Sequence, residues 1–245
     1  MNRKLIEESM PDYVNERRRQ KRAVHTRERI LEVAYKEFAT LGYEGTSIRT
    51  IAERAGIKHP LVTYHFGGKE GLWRTVMMVV GSQFTNKWQA RLADPTLSDD
   101  VTKLRLIQED FVRFAVANPG FHWLMANEGD RNTNRLKWLV ENRAKGFFNA
   151  ITKLIVSAQK RGRYVEGDPY HLQYLFIGAV TRIFMQSAEA EHVMGKSPFS
   201  PDFVEEHVRA CCALFFRDPP KRIRGTQAEK ASSRKPKATK SLRSR

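Results

Sequence analysis

Cysteine is scarce in this sequence of 245 residues. It occurs twice, as the adjacent pair Cys211 and Cys212, and neighbouring residues do not reach ordinary disulfide geometry without strain. The scarcity excludes a disulfide scaffold and predicts a reduced, cytoplasmic protein. The pair could serve as a redox sensor, but its place on an apolar helical stripe favours buried packing.

Long apolar runs are also missing. Apolar runs such as the one near residues 175–180 are well short of the roughly 18 residues that suggest a membrane-spanning helix. The polar start at residues 1–4 leads into no apolar stretch of the kind found in signal peptides. We therefore expect no membrane as a partner.

Motifs for catalysis and metal binding are lacking as well. The sequence has no Gly-rich phosphate loop, no Cys-His pairing and no serine elbow in a plausible setting. His59 and His65 are six residues apart, which places them on different faces of a helix, and no Cys or carboxylate completes a metal site. We predict that the protein is not an enzyme and uses neither a metal nor a cofactor.

Positive charge is abundant, and most of it lies at the two ends of the chain. The formal net charge is +16; residues 1–27 hold 8 Lys and Arg against 4 Asp and Glu, and residues 221–245 hold 10 against 1. Such composition predicts disorder in a basic arm, 1–24, and a basic tail, 219–245. The arm is expected to contact phosphates or the minor groove of DNA through Arg17, Arg18, Arg19, Lys21 and Arg22. The tail would raise nonspecific DNA affinity, and for both segments the alternative is charge that only keeps the protein soluble.

Apolar residues recur at every third or fourth position through the rest of the chain, without the alternation of strands, which predicts an all-α fold. The last two expected helices carry apolar residues on more than one face. We predict that they form a homodimer interface that includes Phe215. Outside the segment treated next, the expected helices cover residues 26–41, 69–91, 99–117, 121–127, 134–160, 168–194 and 201–216.

The segment 46–72 has the pattern of two short helices across a tight turn. Thr46 and Ser47 are N-cap residues, Gly56 ends the first helix, and Pro60 lies in the first turn of the second. The second helix stops at residues 67–68, which are both glycine. This arrangement, with a polar outer face on the second helix, is the geometry that places a helix in the major groove of DNA.

The polar face of the second helix predicts contacts with bases. Lysine can donate to guanine, histidine can bond to base edges, and proline or threonine carbons can touch a thymine methyl group. The free N–H groups at the start of the first helix favour anions, so Thr46 and Ser47 are expected to contact phosphates. The alternative is a helix face that is only solvated. The predicted base contacts are Lys58, His59, Pro60 and Thr63.

Residues 55–57, 62–66 and 69–72, preceded by an amphipathic helix that ends at 38–43, resemble the DNA-binding domain of the tetracycline-repressor (TetR) family of bacterial regulators. The resemblance covers residues 27 to about 74. It implies a three-helix DNA-binding domain at 25–74, followed by a helical bundle at 75–218 for effector binding and dimerisation. It also implies that Tyr64, His65 and Lys69 hold the DNA backbone.

The expected bundle is rich in aromatic residues, and similar proteins use such bundles to bind a small, largely apolar effector. The alternative is an ordinary core. The candidate pocket residues are Arg105, Phe111, Phe114, His122, Trp123, Phe147, Tyr174 and Arg182.

These features together predict a sequence-specific DNA-binding regulator. We expect a ligand-responsive repressor that binds a palindromic operator in double-stranded DNA as a homodimer. One alternative is an architectural DNA-coating protein without an effector, which the basic ends would suit. A small-molecule enzyme built on a helical bundle is opposed by the lack of a paired acid and base.

Overall fold

The computed structural model describes residues 3–217, with side chains from residue 16 onward apart from residue 18. The all-α prediction is confirmed: within this range the chain forms helices, and an isolated β-bridge joins Tyr164 and Phe216. None of the helices in the described part is long and apolar enough to cross a membrane. The predicted tail at 219–245 lies outside the described residues.

Eleven α-helices and one π-helical segment follow one another within the described range. They are α1 (Arg3–Gly45), α2 (Ile48–Arg54), α3 (His59–Phe66), α4 (Lys69–Ala93), α5 (Asp100–Ala117), α6 (Pro119–Gly129), α7 (Asn134–Leu139), the π segment (Val140–Ala144), α8 (Lys145–Lys160), α9 (Pro169–Met185), α10 (Ser187–Met194) and α11 (Pro201–Phe215).

The first helix begins much earlier than the sequence predicts. It starts at Arg3 and so includes most of the segment 1–24, for which we expected disorder. That segment is rich in Arg, Lys, Glu and Gln, which have high helix propensity, and it continues a helix that is already held by packing. The helical geometry breaks at Gly42, whose φ of 70° is favoured by glycine.

The first three helices form a small packed unit around an apolar centre. Ile30, Ala34 and Phe38 of α1 are fully buried against Ile51 and Ala52 of α2. Val62 and Phe66 close the unit from α3. The apolar face of α3 is therefore fixed inward, and its opposite face is left to solvent.

The larger C-terminal unit is built around α5, which packs against α4, α8, α9 and α11. An aromatic cluster lies between these helices. The ring of Phe84 on α4 lies 5.2 Å from Phe111, 5.5 Å from Phe114 and 5.2 Å from Phe147. Because α4 also contacts α1 and α3, it joins the two units.

Two long helices that the sequence predicts are interrupted. The expected helix 134–160 contains the π segment, where hydrogen bonds span five residues instead of four and turn the following side chains to another direction. The expected helix 168–194 ends at Met185, because Gln186 leaves the helical region with φ −117° and ψ 42°. Neither interruption coincides with a proline or glycine, so the apolar period gave no sign of it.

The inner face of α11 is covered by its own chain. Cys211, Cys212 and Phe215 are only 2%, 4% and 6% exposed, so the prediction that Phe215 belongs to a dimer interface is wrong. Burial raises the pKa of each thiol to about 11. Contrary to the expectation of no Cys-His pairing, Nε2 of His207 lies 3.4 Å from Sγ of Cys211. Burial lowers the pKa of this imidazole, so it does not favour the thiolate, which is the reactive form, and the environment supports buried packing for the pair.

Candidate nucleic-acid interface and aromatic cavity

The helix α3 presents the four predicted base-reading residues to solvent. It starts after Lys58, which takes an extended conformation, and Pro60 lies in its first turn. It ends at Gly67, whose φ is 71°. Lys58, His59, Pro60 and Thr63 are all exposed. This outer face therefore has donors and carbon surface of the kinds that read base edges in a major groove.

The predicted backbone-binding residues flank that face. Tyr64 is 81% exposed, and its ring lies 5.2 Å from the ring of His65. Lys69 begins α4, where its Nζ lies 3.3 Å from the carbonyl oxygen of Glu44 and 4.5 Å from the centre of the Tyr43 ring. These contacts hold the ammonium group beside the end of α3, which suits a phosphate contact.

Thr46 and Ser47, which we treated alike, lie in different environments. Thr46 is 3% exposed, and its hydroxyl donates to the carbonyl oxygen of Gly42 at 2.7 Å. It is therefore a structural residue of the turn, and its predicted phosphate contact is withdrawn. Ser47 is exposed and caps α2 by accepting from the Arg49 amide at 3.2 Å, which leaves its hydroxyl hydrogen available to an anion.

Two arginines near this face were missed by the sequence analysis. Arg27 lies over the ring of Phe66, 5.3 Å from its centre, and is exposed. Arg49, two residues after the cap of α2, has a side chain that is 82% exposed and is paired with Glu53 at 3.1 Å. The position of Arg49 in the first turn of the capped helix was the available signal. Both residues extend the positive charge around α2 and α3.

The basic arm is helical, which changes what it can contact. Arg17, Arg19, Lys21 and Arg22 are exposed on α1; the side chain of Arg18 lies outside the described set. The minor groove is about 6 Å wide, whereas a helix with its side chains is about 10–12 Å across. The helix itself is therefore too wide to enter the minor groove, but its arginine side chains can reach into it, so the phosphate contact and the minor-groove contact both stay predictions.

A cavity of about 140 Å³ lies between α4, α5, α6, α8 and α9. Four of the eight predicted pocket residues line it, namely Phe111, Phe114, His122 and Phe147. The sequence analysis did not predict the other ten lining residues, four of which come from α4. The ten are Gly81, Phe84, Thr85, Trp88, Phe121, Met125, Arg143, Ala144, Phe148 and Ile177.

The other four predicted pocket residues lie elsewhere. The guanidinium of Arg105 stacks on Phe216, 4.1 Å from the ring centre. Trp123 lines a smaller pocket beside Gly42, where α1 meets α6. Tyr174 is 66% exposed, and Arg182 is an exposed partner of Glu189 at 3.6 Å. An aromatic-rich sequence does not specify the direction in which each side chain points, and these four residues do not line this cavity for that reason.

Three polar side chains line the aromatic cavity, those of Thr85, His122 and Arg143. Burial lowers the pKa of His122 to about 4, so the imidazole is neutral at neutral pH, and its buried Nε2 has no hydrogen-bond partner. Arg143 comes from the π segment, and its guanidinium lies against Gly81 and 3.4 Å from the carbonyl oxygen of Met78. Burial also lowers the pKa of Arg143.

Similarity to known proteins is strongest at the N-terminal unit. Residues 30–76 match the family described as bacterial regulatory proteins, tetR family. The transcriptional regulatory protein RaaS of Mycobacterium tuberculosis is 40% identical over 70 residues, covering 28% of this chain and 32% of RaaS. The transcriptional repressor ComR of Escherichia coli is 38% identical over 69 residues, covering 28% of this chain and 33% of ComR. The matches span about a third of the length of these curated relatives.

The similarity in fold extends over the C-terminal helices. The structure of AibR in complex with isovaleryl coenzyme A and operator DNA superposes with a TM-score of 0.63 at 19% identity. It covers 78% of this chain and 98% of that chain. At this identity the likeness concerns the fold alone.

Proposed function

We propose that this chain, which belongs to the TetR family of bacterial regulatory proteins, is a DNA-binding transcriptional repressor controlled by a small effector. The observation that carries the proposal is the exposed outer face of α3 on a packed helix-turn-helix. The regulatory names of the matching relatives favour this class over an enzyme.

A homodimer would bring two copies of α3 to a palindromic operator. Two recognition helices enter successive major grooves when they lie about 34–36 Å apart, one helical turn of DNA. A candidate dimer face lies on the outer sides of α9 and α11, where Tyr174, Leu175 and Leu214 are 66%, 51% and 62% exposed. Gly178 lies on the same side of α9 with open space beside it, which would let a partner helix approach closely.

The helix α4 is suited to couple the cavity to DNA. It begins at Lys69, directly after α3, and Gly81, Phe84 and Trp88 of the same helix line the cavity. An effector that moves α4 against α5 and α8 would alter the spacing of the two recognition helices. Coupling of this kind is typically worth about 1–3 kcal/mol.

Recognition of bases by His59 and of the backbone by Lys69 can be tested together. The change His59→Ala is expected to shift sequence preference, at a loss of about 1–3 kcal/mol at its base pair, because base contacts carry sequence information. The change Lys69→Gln should weaken binding to all sequences alike, because a phosphate contact carries none. Selection from randomised duplexes, followed by titration of the selected sites, measures both effects.

The matched control is His192→Ala, which removes an exposed histidine of α10 and should change neither result. If the His59→Ala protein selected the same motif with the same relative affinities, His59 would not be reading bases. A change of motif in the Lys69→Gln protein would contradict its assignment to the backbone.

The basic tail favours a second candidate function, an architectural protein that coats DNA, because residues 221–245 hold 10 Lys and Arg. If about a third of them neutralise phosphates, removal of 221–245 should change the slope of log affinity against log salt by about 3. The operator motif should stay the same. Titrations over a range of salt, with footprinting, measure the slope and the motif.

The arm provides the comparison for this experiment. Replacement of Arg19, Lys21 and Arg22 by Gln should also weaken specific binding, because α1 continues directly into the DNA-binding unit. If the full-length protein, the tail deletion and the arm variant all showed the same slope of log affinity against log salt, both segments would contribute only to solubility. Uniform protection without a footprint at any preferred site would favour the architectural function over the repressor.

A further inference from the structure

We propose that the cavity binds a small aromatic carboxylate with a second hydrogen-bonding group on its ring. The carboxylate would pair with Arg143, the ring would lie among the phenylalanines, and the second group would bond to Nε2 of His122. The inference rests on the proposed function in one respect, since it takes this cavity to be the effector site.

The size and walls of the cavity suit one aromatic ring. Its volume is about 140 Å³, and an apolar protein cavity of about 150 Å³ is large enough to bind benzene. Phe84 meets Phe111 and Phe147 at interplanar angles of 65° and 69°. Walls arranged edge to face offer both ring faces and ring edges, which are the contacts that a planar aromatic guest prefers.

The charge in the cavity suits one carboxylate. Arg143 is the one formally charged residue of the lining, and among the described residues no carboxylate pairs with it. Its guanidinium donates a long hydrogen bond of 3.4 Å to the carbonyl oxygen of Met78. A half-buried guanidinium without a counter-charge is costly, whereas a carboxylate can accept two parallel hydrogen bonds from its planar fork. A single cation matches a single negative charge better than a polyphosphate.

His122 adds a second, independent feature. It is 7% exposed, and its Nε2 is buried without a hydrogen-bond partner. The rings of Phe111, Phe114 and Phe121 lie 5.3, 5.4 and 5.6 Å from the imidazole. A hydrogen-bonding atom that is buried without a partner is costly to the folded state. A hydroxyl group on the guest would supply the missing hydrogen bond and would distinguish hydroxylated acids from benzoate.

Arg143 would also connect the guest to α4. A Cβ atom at residue 81 would overlap the guanidinium, so glycine at this position lets Arg143 lie directly on the helix backbone. A carboxylate that draws the guanidinium toward the cavity would change this contact. The same feature provides a mild variant, because Gly81→Ala displaces the flexible end of Arg143 and leaves the rest of the lining in place.

The experiment uses the full-length protein and calorimetric titration with benzoate, the three hydroxybenzoates and the neutral ring p-cresol. The protein is expected to bind at least one hydroxybenzoate more tightly than benzoate, and p-cresol least. Arg143→Gln should weaken binding of that acid about 10- to 100-fold, the usual value of charge-assisted hydrogen bonds, and should barely change p-cresol binding. Gly81→Ala should also weaken binding of that hydroxybenzoate. His122→Leu should lower the affinity for the hydroxybenzoate to the affinity for benzoate.

Arg182→Gln is the matched control, because Arg182 is an exposed arginine outside the cavity, and it should leave every affinity unchanged. Circular dichroism confirms that each variant is folded. No binding of any acid at millimolar concentration, or equal affinities in the Arg143→Gln and unchanged proteins, would overturn the inference.

Operator binding, measured separately, distinguishes this inference from the proposed function. If the acids bind as expected but do not release DNA, the ligand class stands and the control of repression by this cavity fails. If the protein binds its operator and only isovaleryl coenzyme A or neutral compounds release it, the proposed function stands and the ligand class is wrong.

Discussion

Leu214→Asp is expected to convert the protein into a monomer and to lower its affinity for a palindromic operator by about two to four orders of magnitude. Leu214 is 62% exposed on the outer face of α11, so a charge there leaves the core intact but would be buried without a partner in a dimer. Two linked half-site contacts gain about 10²- to 10⁴-fold over one, and a monomer loses that gain. Light scattering and operator titration at the same protein concentrations measure both effects.

A charge at position 214 tests the dimer interface, whereas a charge at the next residue, Phe215, does not. Phe215 is 6% exposed in its own chain, so a charge there should unfold the bundle and would say nothing about a dimer. Val193→Asp is the matched control, because Val193 is 80% exposed on α10, outside the proposed face. Leu175→Asp on α9 should act like Leu214→Asp. An intact dimer in both of these variants would assign the interface to another surface.

The DNA-binding unit was predictable because its boundaries depend on single residues with strong local preferences. Ser47 caps α2 with its side chain, Pro60 has a favourable φ for the first turn of α3, and Gly67 takes a left-handed conformation that ends it. Each of these effects acts over a few residues and needs no knowledge of the rest of the fold. The apolar period then determines which face of α3 is buried.

Only part of the cavity lining could be predicted, because the lining depends on the orientation of each side chain, which the sequence does not specify. Phe111 and Tyr174 are both aromatic residues of the bundle, yet one lines the cavity and the other is 66% exposed. Arg143 reaches the cavity because of the π segment, whose changed register has no marker in the sequence. Leu214 and Phe215 are adjacent and both apolar, and the packing of α5 and α9 on α11 decides which of them is covered.

Acidification is expected to destabilise the protein strongly through His122. Burial lowers the pKa of this group from 6.5 to about 4, so folding favours the neutral imidazole. The stability that the neutral imidazole contributes to the folded state is therefore fully present above pH 6.5, and it is lost as the pH falls from 6.5 towards 4. A difference of about 2.5 pKa units corresponds to about 3 kcal/mol of unfolding free energy. Urea unfolding at pH 7.5, 6, 5 and 4.5, at one fixed protein concentration, measures the loss.

His122→Leu isolates this contribution from the carboxylates that also titrate on acidification. The Leu variant should lose less stability than the unchanged protein below pH 6.5, and the difference should approach about 1.4 kcal/mol for each pH unit. His192→Leu removes an exposed histidine and should follow the unchanged protein. Fixed concentration matters because dimer formation would add its own stability to each measurement. Parallel curves for the His122→Leu and unchanged proteins between pH 7.5 and 4.5 would mean that His122 has the same pKa in the folded and unfolded states. The imidazole would then be in contact with water in the folded protein.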